Sequence, residues 1–395
     1  MRKISADYIF TIFSEPIKNG VITIDDNGKI IDVAEPNIQH PTSDIEQHQG
    51  IICPGFINTH CHLELSHMRS QVSENAGMMD FIKEILSKRF NFSTEQIKQA
   101  IVNADAEMIK NGIVAVGDIS NNNDTFRQKS TSTIFYHTFI EAFDFNPEKA
   151  DEVFANAVNL GEQLKQLSHS IVPHAPYSVS EKLFRLIADE AVKNNSIISI
   201  HNQESSGESE LFISHSGPMF EAFSRMGINM ELIPKTRLNS LRTTFPKLPL
   251  SQKILLVHNT FTSKEDIVWT KEILNPKSKI QNLFWCTCPN ANIYIENKLP
   301  DYNIFIEENA SVTIGTDSLA SNWSLSILDE IKTITKYYPG IPLQTLLTWA
   351  TKNGAEFLGL SQLGTIEKGK RPGLNLLKNV DELRISEKTE VIKLV

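Results

Sequence analysis

The feature that most constrains the fold is a regular alternation of short apolar runs and longer amphipathic stretches, which begins at about Pro54. Runs of strand length, rich in Ile, Val and Phe, are separated by segments whose apolar residues recur at helical spacing. Strands that read as continuous apolar runs are typical of a parallel sheet covered by helices on its outer faces. The eight runs span residues 53–59, 113–119, 134–141, 170–174, 197–201, 254–258, 282–287 and 311–316.

Eight strand–helix units over roughly 300 residues predict an α/β fold, a (β/α)₈ TIM-like barrel. A doubly wound open sheet is the alternative, since it uses the same alternation. Helical patterns between the strands lie at 94–111, 147–167, 180–194, 263–274 and 326–336.

The residue pattern at both chain ends differs from the strand–helix alternation of the middle of the chain. The segments NGVITIDDNGKI and LGTIEKGKRPGL combine β-branched residues with Asn, Asp and Gly turn signals. We therefore predict a small β-sandwich domain formed from both chain ends. The predicted domains are 1–52 for its N-terminal part, 53–361 for the barrel and 362–395 for its C-terminal part.

Composition argues against a nucleic-acid-binding protein, a membrane protein and a disulfide-rich protein. The chain has 395 residues and a net charge of −9, with 38 Lys and Arg against 47 Asp and Glu, which does not favour nucleic-acid binding. The longest apolar runs fall short of the roughly 20 residues of a membrane span, and Asp7 and Thr11 interrupt any signal-peptide core. Four cysteines are too few for a disulfide framework. We expect a cytoplasmic protein without nucleic-acid or membrane partners, with a homodimer left open.

Polar side chains follow the predicted strands at the points where these strands end. In a barrel of this kind the carboxyl ends of all strands face one mouth, so their side chains converge there. A lone histidine at such a place would be taken as a core or rim residue, but five histidines on these ends argue for a shared site. The strand ends carry His60, His62, Asp118, Glu141, His174, His201, His258 and Asp317.

The pattern of histidines and carboxylates is suited to a divalent metal ion. His60 and His62 lie on one side of an extended strand end because side chains repeat every second residue. Two such nitrogens, a third histidine and a carboxylate form a donor set for Zn or Fe. Cys286 and Cys288 lack the spacing of a metal or redox motif, and strand alternation explains them.

Two carboxylates near these histidines have simpler explanations as well. Glu204, three residues after His201, is equally typical of a helix N-terminus, where the helix dipole favours an acidic side chain. Asp317 is equally suited to the N-cap of a following helix. The surrounding histidines favour a functional role for both residues.

Taken together, these segments resemble the amidohydrolase superfamily, in its branch of aminohydrolases that act on purine-like and triazine-like rings. The resemblance covers almost the whole chain and implies both the barrel and the flanking β-sandwich. The segments that carry it are PGFINTHCHLELS, VPHAPYSVS, HNQES, LVHNT, CPNAN and GTDSLASN, in the order of the family.

The resemblance implies one divalent ion per chain, Zn or Fe, bound by His60, His62, His201 and Asp317. It makes Glu204, His258 and Asp317 the catalytic residues. Two-metal members of the family bridge their metals through a carboxylated Lys, or a carboxylate, on strand four, where this chain has His174 and no Lys. The expected type is therefore mononuclear.

The implied reaction is hydrolytic removal of an exocyclic amine, released as ammonia, from a purine-like or other nitrogen heterocycle by metal-activated water. Asp317 and His258 would take a proton from the water, and Glu204 would protonate a ring nitrogen of the small-molecule substrate. The strings LELS and DSLASN most resemble aminodeoxyfutalosine deaminases, with adenosine-type, guanine and triazine-like rings left open. The residues expected to contact the substrate are His174, Glu64, Phe81, Ser318, Asn322 and Trp323.

The segment between His201 and His258 carries several basic residues, Lys235, Arg237, Arg242 and Lys247. We read it first as a solvated loop, and second as a site for a carboxylate or phosphate on the substrate.

Three alternative functions follow from the same sequence. A cyclic or acyclic amide hydrolase of the same superfamily would use the same metal site. A catalytically inactive barrel acting as a binding protein belongs to a different class, and the intact His and acidic set argues against it. An NAD-dependent oxidoreductase has no support, because the first strand is not followed by G-x-G-x-x-G.

Overall fold

The structure is a computed structural model that describes residues 1–35, 45–164, 167–274 and 282–395. All eight predicted strands of the repeating region are present in it. Four form one parallel sheet, β6 (Phe56–Cys61), β7 (Ile113–Ser120), β8 (Phe135–Ala142) and β9 (Ser168–Pro173), paired in that order. Four form a second parallel sheet, β10 (Ile198–Asn202), β11 (Ile254–His258), β12 (Leu283–Thr287) and β13 (Ser311–Ile314).

These strands are buried along most of their length, and β10, β11 and β12 are buried at every residue. Such burial explains why each strand reads as an unbroken apolar run and not as an alternating pattern. Within each sheet the strand order follows the chain order, whereas a doubly wound sheet reverses direction at a switch point. The parallel α/β architecture is therefore confirmed.

The two parallel sheets approach each other at both edges. At one edge the backbone N–H of His201 donates to the carbonyl of His174, with N···O of 3.0 Å. At the other edge the N–H groups of Thr316 and Asp317 donate to the carbonyl of His60, each at 3.0 Å. Residues at the strand ends of the first sheet therefore lie beside those of the second.

The helices follow the strands and cover the sheets from outside. The N-caps of several of them are Ser residues, such as Ser93, Ser180 and Ser263, whose side chains accept from backbone N–H groups of the first turn. Among the described residues, no helix has both the length and the apolar character that crossing a membrane requires. The helices are α1 (Met78–Lys88), α2 (Thr94–Lys110), α3 (Phe126–Thr131), α4 (Ala150–Gln163), α5 (Glu181–Asn194), α6 (Ser206–Ser214), α7 (Gly217–Arg225), α8 (Ser240–Thr244), α9 (Lys264–Ile273), α10 (Pro289–Glu296), α11 (Tyr302–Glu307), α12 (Ile327–Tyr337), α13 (Leu343–Ala350) and α14 (Lys352–Leu358).

Strands from both chain ends join in one mixed sheet of seven strands. These are β1 (Arg2–Ile9), β2 (Ile17–Lys18), β3 (Val21–Ile24), β4 (Ile30–Ala34), β5 (Ile45–Pro54), β14 (Leu374–Lys378) and β15 (Glu390–Lys393). The order is β15-β14-β5-β1-β3-β4, with β2 paired to β1. Ile4, Ile22, Ile52 and Leu376 belong to a separate apolar core of this sheet. The two chain ends thus share a sheet, while a two-layered sandwich and the two predicted domain boundaries stay predictions.

Candidate metal centre and active site

The three polar residues from the outer edges of the two parallel sheets meet in one cluster. His60 lies near the end of β6, His62 follows this strand directly, and Asp317 lies three residues after β13. The Nε2 atoms of the two histidines are 3.2 Å apart, and Asp317 Oδ1 lies 3.6 Å from His60 Nε2 and 3.4 Å from His62 Nε2. Three donor atoms from two sheets therefore point at one another.

Two histidines of the second sheet complete the cluster. The ring centroid of His60 lies 4.9 Å from that of His201 and 5.6 Å from that of His258. His201 Nδ1 donates to the carbonyl of His174 at 2.8 Å, and His258 Nδ1 donates to Asn292 Oδ1 at 2.9 Å. Because Nδ1 carries the proton in each ring, the lone pair of each Nε2 is free.

The backbone at these positions departs from ordinary strand geometry. His258 has φ of 71° and Asp317 has φ of 57°, both in the left-handed region that side chains other than Gly rarely adopt. Gly315 permits the close approach of β13 to β6, since a Cβ there would lie 2.8 Å from the Cβ of His60. Strain and close packing thus fix where the Asp317 carboxylate points.

The chemistry of this donor set fits a divalent cation. Within the described residues, His60, His62 and Asp317 form one group of converging ligand atoms, and His60, His201 and His258 form another. His60 Nδ1 and His258 Nε2 are buried without a hydrogen-bond partner. Two opposed Nε2 lone pairs 3.2 Å apart repel each other unless a proton or a cation lies between them.

Burial and mutual proximity set the protonation of these groups. Burial lowers the pKa of His62 to about 3 and that of His258 to about 4. Burial alone would raise the pKa of Asp317, but His60, whose Nε2 lies 3.6 Å away, and the neighbouring histidines lower it. Neutral imidazoles with an ionised carboxylate are the protonation states in which these groups bind a metal.

Glu204 lies beside the histidines without belonging to these groups of ligand atoms. Its Oε1 is 3.4 Å from His258 Nε2. Burial, and then the charge of Asp317, raise the pKa of Glu204 well above its usual value, which favours the protonated form of this carboxyl. The backbone N–H groups of Gln203 and Glu204 donate to the buried Glu208 carboxylate at 3.0 and 3.1 Å.

In the structure, Glu204 is not in the first turn of a helix and Asp317 is not a helix N-cap. Helix α6 has Ser205 as its N-cap, and Glu208, not Glu204, occupies its first turn. The helix after Asp317 is α12, whose N-cap is Ser326. Asp317 instead accepts a hydrogen bond from Ser321 Oγ at 2.5 Å.

A cavity of about 240 Å³ opens onto the cluster. Its reactive end is formed by His62, His201, Glu204, His258 and Asp317, and its remaining wall is largely apolar. The apolar wall includes Met78, Phe81, Ile82, Phe143, Tyr177 and Phe223.

The structure brings four of the six predicted substrate contacts to this cavity, namely His174, Glu64, Phe81 and Ser318. The other two lie elsewhere. The buried Asn322 amide donates to the carbonyl of Thr316 and to Glu330 Oε1, and Trp323, 47% exposed, donates to Glu74. Asn322 therefore supports the loop that carries Asp317, and the lining of the cavity includes neither residue.

A family model with the description amidohydrolase family matches residues 51–394. The chain belongs to this family. The predicted superfamily is thereby confirmed, and so is the predicted class of activity, a hydrolase that acts on C–N bonds other than peptide bonds.

Two relatives within the amidohydrolases have names that describe a deamination. The adenosine deaminase of Helicobacter pylori is 29% identical over 337 residues, which cover 82% of this chain and 78% of that protein. The aminodeoxyfutalosine deaminase of Deinococcus radiodurans is 27% identical over 342 residues, with coverage of 81% and 76%. The solved structure of Helicobacter pylori aminofutalosine deaminase superposes with a TM-score of 0.78 at 25% identity, covering 97% of this chain and 93% of that one.

The basic residues of the long segment before β11 lie outside the cavity lining of this amidohydrolase. Lys235 and Arg237 are exposed, as a solvated loop predicts. Arg242 instead pairs with the buried Asp266 carboxylate at 2.9 Å, and Lys247 lines a separate surface cavity.

Sequence reasoning placed Glu141 and Asp118 at strand ends without giving them a role, and it missed Asn121, Lys129 and Arg89. Asn121 follows β7 directly within a polar Asn-rich turn, and Arg89 follows helix α1 and lines the cavity. Lys129 Nζ lies 2.6 Å from Asp118 Oδ2, and both side chains are fully buried. The position directly after a predicted strand was a signal for Asn121, whereas Lys129 and Arg89 had no such signal.

Proposed function

We propose that this chain is a metal-dependent deaminase that removes an exocyclic amine, as ammonia, from a purine-like ring. The observation that carries the proposal is the position of Glu204. Its carboxyl is buried, which favours the protonated form, and its Oε1 lies 3.4 Å from His258 Nε2 at the wall of a cavity that also exposes the His and Asp cluster. A proton donor beside a cation site is the arrangement that deamination of a ring amidine requires.

We also propose that the eight parallel strands close into the (β/α)₈ barrel that the sequence predicts. The backbone hydrogen bonds at both edges of the two sheets support closure, as does the bridge between Cys61 and Asp317. Closure would explain why the metal ligands from the ends of β6, β10 and β13 and the His258 side chain from β11 reach one point.

His60, His62, His201 and Asp317 would hold a single ion, zinc or iron. Nitrogen and carboxylate donors suit both of these borderline metals. When bound, the ion acts as a Lewis acid that lowers the pKa of water and so makes a nucleophile available at neutral pH. His174, which stands where two-metal members carry a lysine, supports one ion per chain.

The proton movements are assigned to three side chains. His258 Nε2 has a free lone pair that can accept the proton of the attacking water, assisted by Asp317. Glu204 then delivers its proton to the ring nitrogen next to the carbon under attack. The proton held by His258 and the remaining proton of the attacking water then protonate the amine, which leaves as ammonia, and restore the Glu204 carboxyl. Such a general acid–base group contributes about 10²–10⁴-fold to the rate.

The substrate that we propose is an aminopurine nucleoside. The names of the relatives, adenosine deaminase and aminodeoxyfutalosine deaminase, support a nucleoside with an amino-substituted ring. The cavity supports it by its composition, because Phe81 and the other apolar residues can pack on a flat ring while polar groups at one end orient it. His174, whose Nδ1 is bonded to Ser178 Oγ at 2.6 Å, has its other ring nitrogen available for the substrate.

The test is an ammonia-release screen of metal-loaded protein over adenosine, 5′-methylthioadenosine, aminodeoxyfutalosine, guanine and a triazine. We expect ammonia from at least one aminopurine nucleoside. Release of a ring-opened product without ammonia would instead identify an amide hydrolase, and no turnover of any compound would contradict the proposal.

A matched variant separates proton transfer from metal binding. Glu204→Gln keeps the volume of the side chain but cannot donate a carboxyl proton, so kcat should fall at least ~10²-fold while the metal content stays near that of the wild type. Loss of the metal in this variant would make Glu204 a ligand, and unchanged turnover would place the proton donor elsewhere.

A further inference from the structure

The ring of His258 is held by a side chain from the next strand–helix unit of the fold. Asn292 lies near the start of α10, which follows β12, and it is buried. Its Oδ1 accepts from His258 Nδ1 at 2.9 Å, and its Nδ2 lies 3.5 Å from the carbonyl oxygen of His258, to which it donates. One amide therefore contacts both the ring and the backbone of the same histidine.

The two contacts together fix which nitrogen of the ring carries the proton. With Nδ2 directed at the backbone carbonyl, the amide presents its oxygen to the ring, and an oxygen can only accept from Nδ1 if that nitrogen is protonated. The hydrogen bond that one ring nitrogen makes selects the tautomer of a neutral imidazole. Nε2 of His258 is then left with a lone pair.

The tautomer decides what His258 can do in the cavity. Within the residues that the structure describes, Nε2 is buried without a hydrogen-bond partner, and it lies 3.4 Å from Glu204 Oε1. In the Nδ1–H tautomer this atom can accept a proton from water or from a protonated carboxyl. In the other tautomer it would be a donor, and the ring could not serve as the proton acceptor of the reaction.

Other contacts hold the backbone of this turn but not the ring. His258 and Asn259 have φ of 71° and 57°, a left-handed conformation that is unfavourable for these residues unless neighbouring groups hold it. The Asn259 amide donates to the carbonyls of Leu256 at 2.8 Å and Cys286 at 2.9 Å. Because these bonds end at the backbone, the direction of the imidazole depends on Asn292.

We propose that Asn292 is a positioning residue that fixes the Nδ1–H tautomer of His258 and the direction of its Nε2. The described wall of the cavity does not include Asn292, so this residue acts through the histidine and not on the substrate. The inference rests on the proposed function, because it concerns the group to which we assign acceptance of the water proton. Partners of this kind orient a reactive side chain without touching the reacting atoms.

The kinetic experiment compares Asn292→Ala with Asn292→Asp in the metal-loaded protein, with the aminopurine nucleoside that releases ammonia as substrate. Asn292→Ala should lower kcat at least ~10²-fold, because a catalytic histidine in the wrong tautomer loses its role as general base, while KM stays within threefold and the metal content is unchanged. Asn292→Asp keeps an acceptor oxygen at the same place, so its kcat should lie within ~10-fold of the wild type. Equal loss in both variants, or loss of the metal, would overturn the proposal.

Asn290→Ala is the matched control. Asn290 is a buried residue of the same helix, two positions earlier, and its side chain accepts from Thr333. Its variant should keep kcat within threefold of the wild type, whatever it does to stability. A decrease as large as in Asn292→Ala would show a general effect of disturbing α10 and would overturn the assignment.

The tautomer itself can be measured without turnover. In zinc-loaded protein labelled with ¹⁵N-histidine, the signals that disappear in His258→Gln belong to His258. We expect Nδ1 to carry the proton in the wild type and in Asn292→Asp, and Nε2 to carry it in a measurable fraction of Asn292→Ala.

This measurement distinguishes failure of the positioning role from failure of the proposed reaction. A wild-type spectrum with the proton on Nε2, or the same spectrum in Asn292→Ala, would overturn the role of Asn292 whether or not any compound releases ammonia. The expected spectra without ammonia release would support that role and contradict the deaminase function alone. If Asn292→Ala does not fold, the spectra of the wild type and of Asn292→Asp decide.

Discussion

The two parallel sheets supply the same cluster by different means. In the first sheet, β6 to β9, polar side chains are positioned by other side chains. Lys129 pairs with Asp118, and the Asn121 amide donates hydrogen bonds to Glu64 and Glu141. In the second sheet, β10 to β13, the polar side chains are positioned by backbone in the left-handed region, with φ of 46° at Gln203, 71° at His258 and 57° at Asp317.

The difference matches the chemistry of each half. The second sheet carries the groups to which we assign proton transfer. Such groups have to be aimed within a fraction of an ångström, and strained backbone fixes direction more tightly than a flexible side chain does. The first sheet contributes His60 and His62 together with the carboxylates that face the substrate cavity. In the proposed function, the proton-transfer groups therefore come from the second sheet, while the first sheet supplies two metal ligands and part of the cavity wall.

The largest effect on activity is expected from removing a proposed metal ligand of the second sheet, His201, which lies beside His60 and His62 of the first sheet. His201→Ala should lose the metal and lower activity at least ~10³-fold, because several kcal/mol of Lewis-acid stabilisation disappear. Metal analysis together with the ammonia assay checks this. His137→Gln is the control, since His137 is a buried histidine of β8 bonded to Ser168 and Ser170 and should keep its metal. A His201→Ala protein with full metal content and turnover would place the site elsewhere.

The second prediction tests whether the buried ion pair of Lys129 with Asp118 stabilises the first sheet. Lys129→Met should lower the free energy of unfolding by about 3–5 kcal/mol, because it leaves the Asp118 charge buried without a partner. Asp118 Oδ1 also accepts from the N–H of Leu63 at 2.7 Å, directly after His62, so metal affinity should fall too. Denaturant unfolding and metal titration measure the two effects.

An exposed pair provides the comparison for Lys129. Lys182 pairs with Asp151 on the surface, where the side chains are 42% and 69% exposed. Lys182→Met should change the free energy of unfolding by no more than about 1 kcal/mol. Equal effects of the two substitutions would mean that the buried pair does not support the first sheet in the way we describe.

The smallest effect on activity is expected at Glu208, which accepts hydrogen bonds from the backbone of Gln203 and Glu204 in the second sheet. Glu208→Gln retains the shape of the side chain but offers one acceptor oxygen in place of two to the N–H groups of Gln203 and Glu204. Glu208 is a positioning residue, so kcat should fall about 10-fold with little change in KM. A rise of KM at constant kcat would point to substrate binding instead.

The sequence predicted much of this arrangement because its signals are local. Each parallel strand is a continuous apolar run, and each run ends at a polar residue, as ILLV does at His258. Strand ends of a parallel sheet converge, so a list of end residues already approximates the cluster. Helix boundaries such as Thr94–Lys110 and Glu181–Asn194 follow from the same periodicity and from Ser N-caps.

What the sequence did not predict depends on contacts across the fold. Lys129 lies in the polar stretch FRQKST and is buried only because it meets Asp118 from the preceding strand. Asn121 reads as one of three asparagines in a turn, and nothing local shows that it joins two carboxylates. Trp323 follows Asp317 closely in sequence, yet its loop turns the indole toward Glu74 and away from the cavity.

The sheet shared by the two chain ends has a consequence during synthesis on the ribosome. Strand β5 emerges early, and its Ile51, Ile52 and Cys53 pair with Leu377, Leu376 and Asn375 of β14. Until β14 has been translated, that apolar edge has unsatisfied backbone donors and acceptors, as an exposed edge strand does. The nascent chain must complete both parallel sheets with this edge open, which makes the interval before Leu374 emerges the time of greatest risk of aggregation.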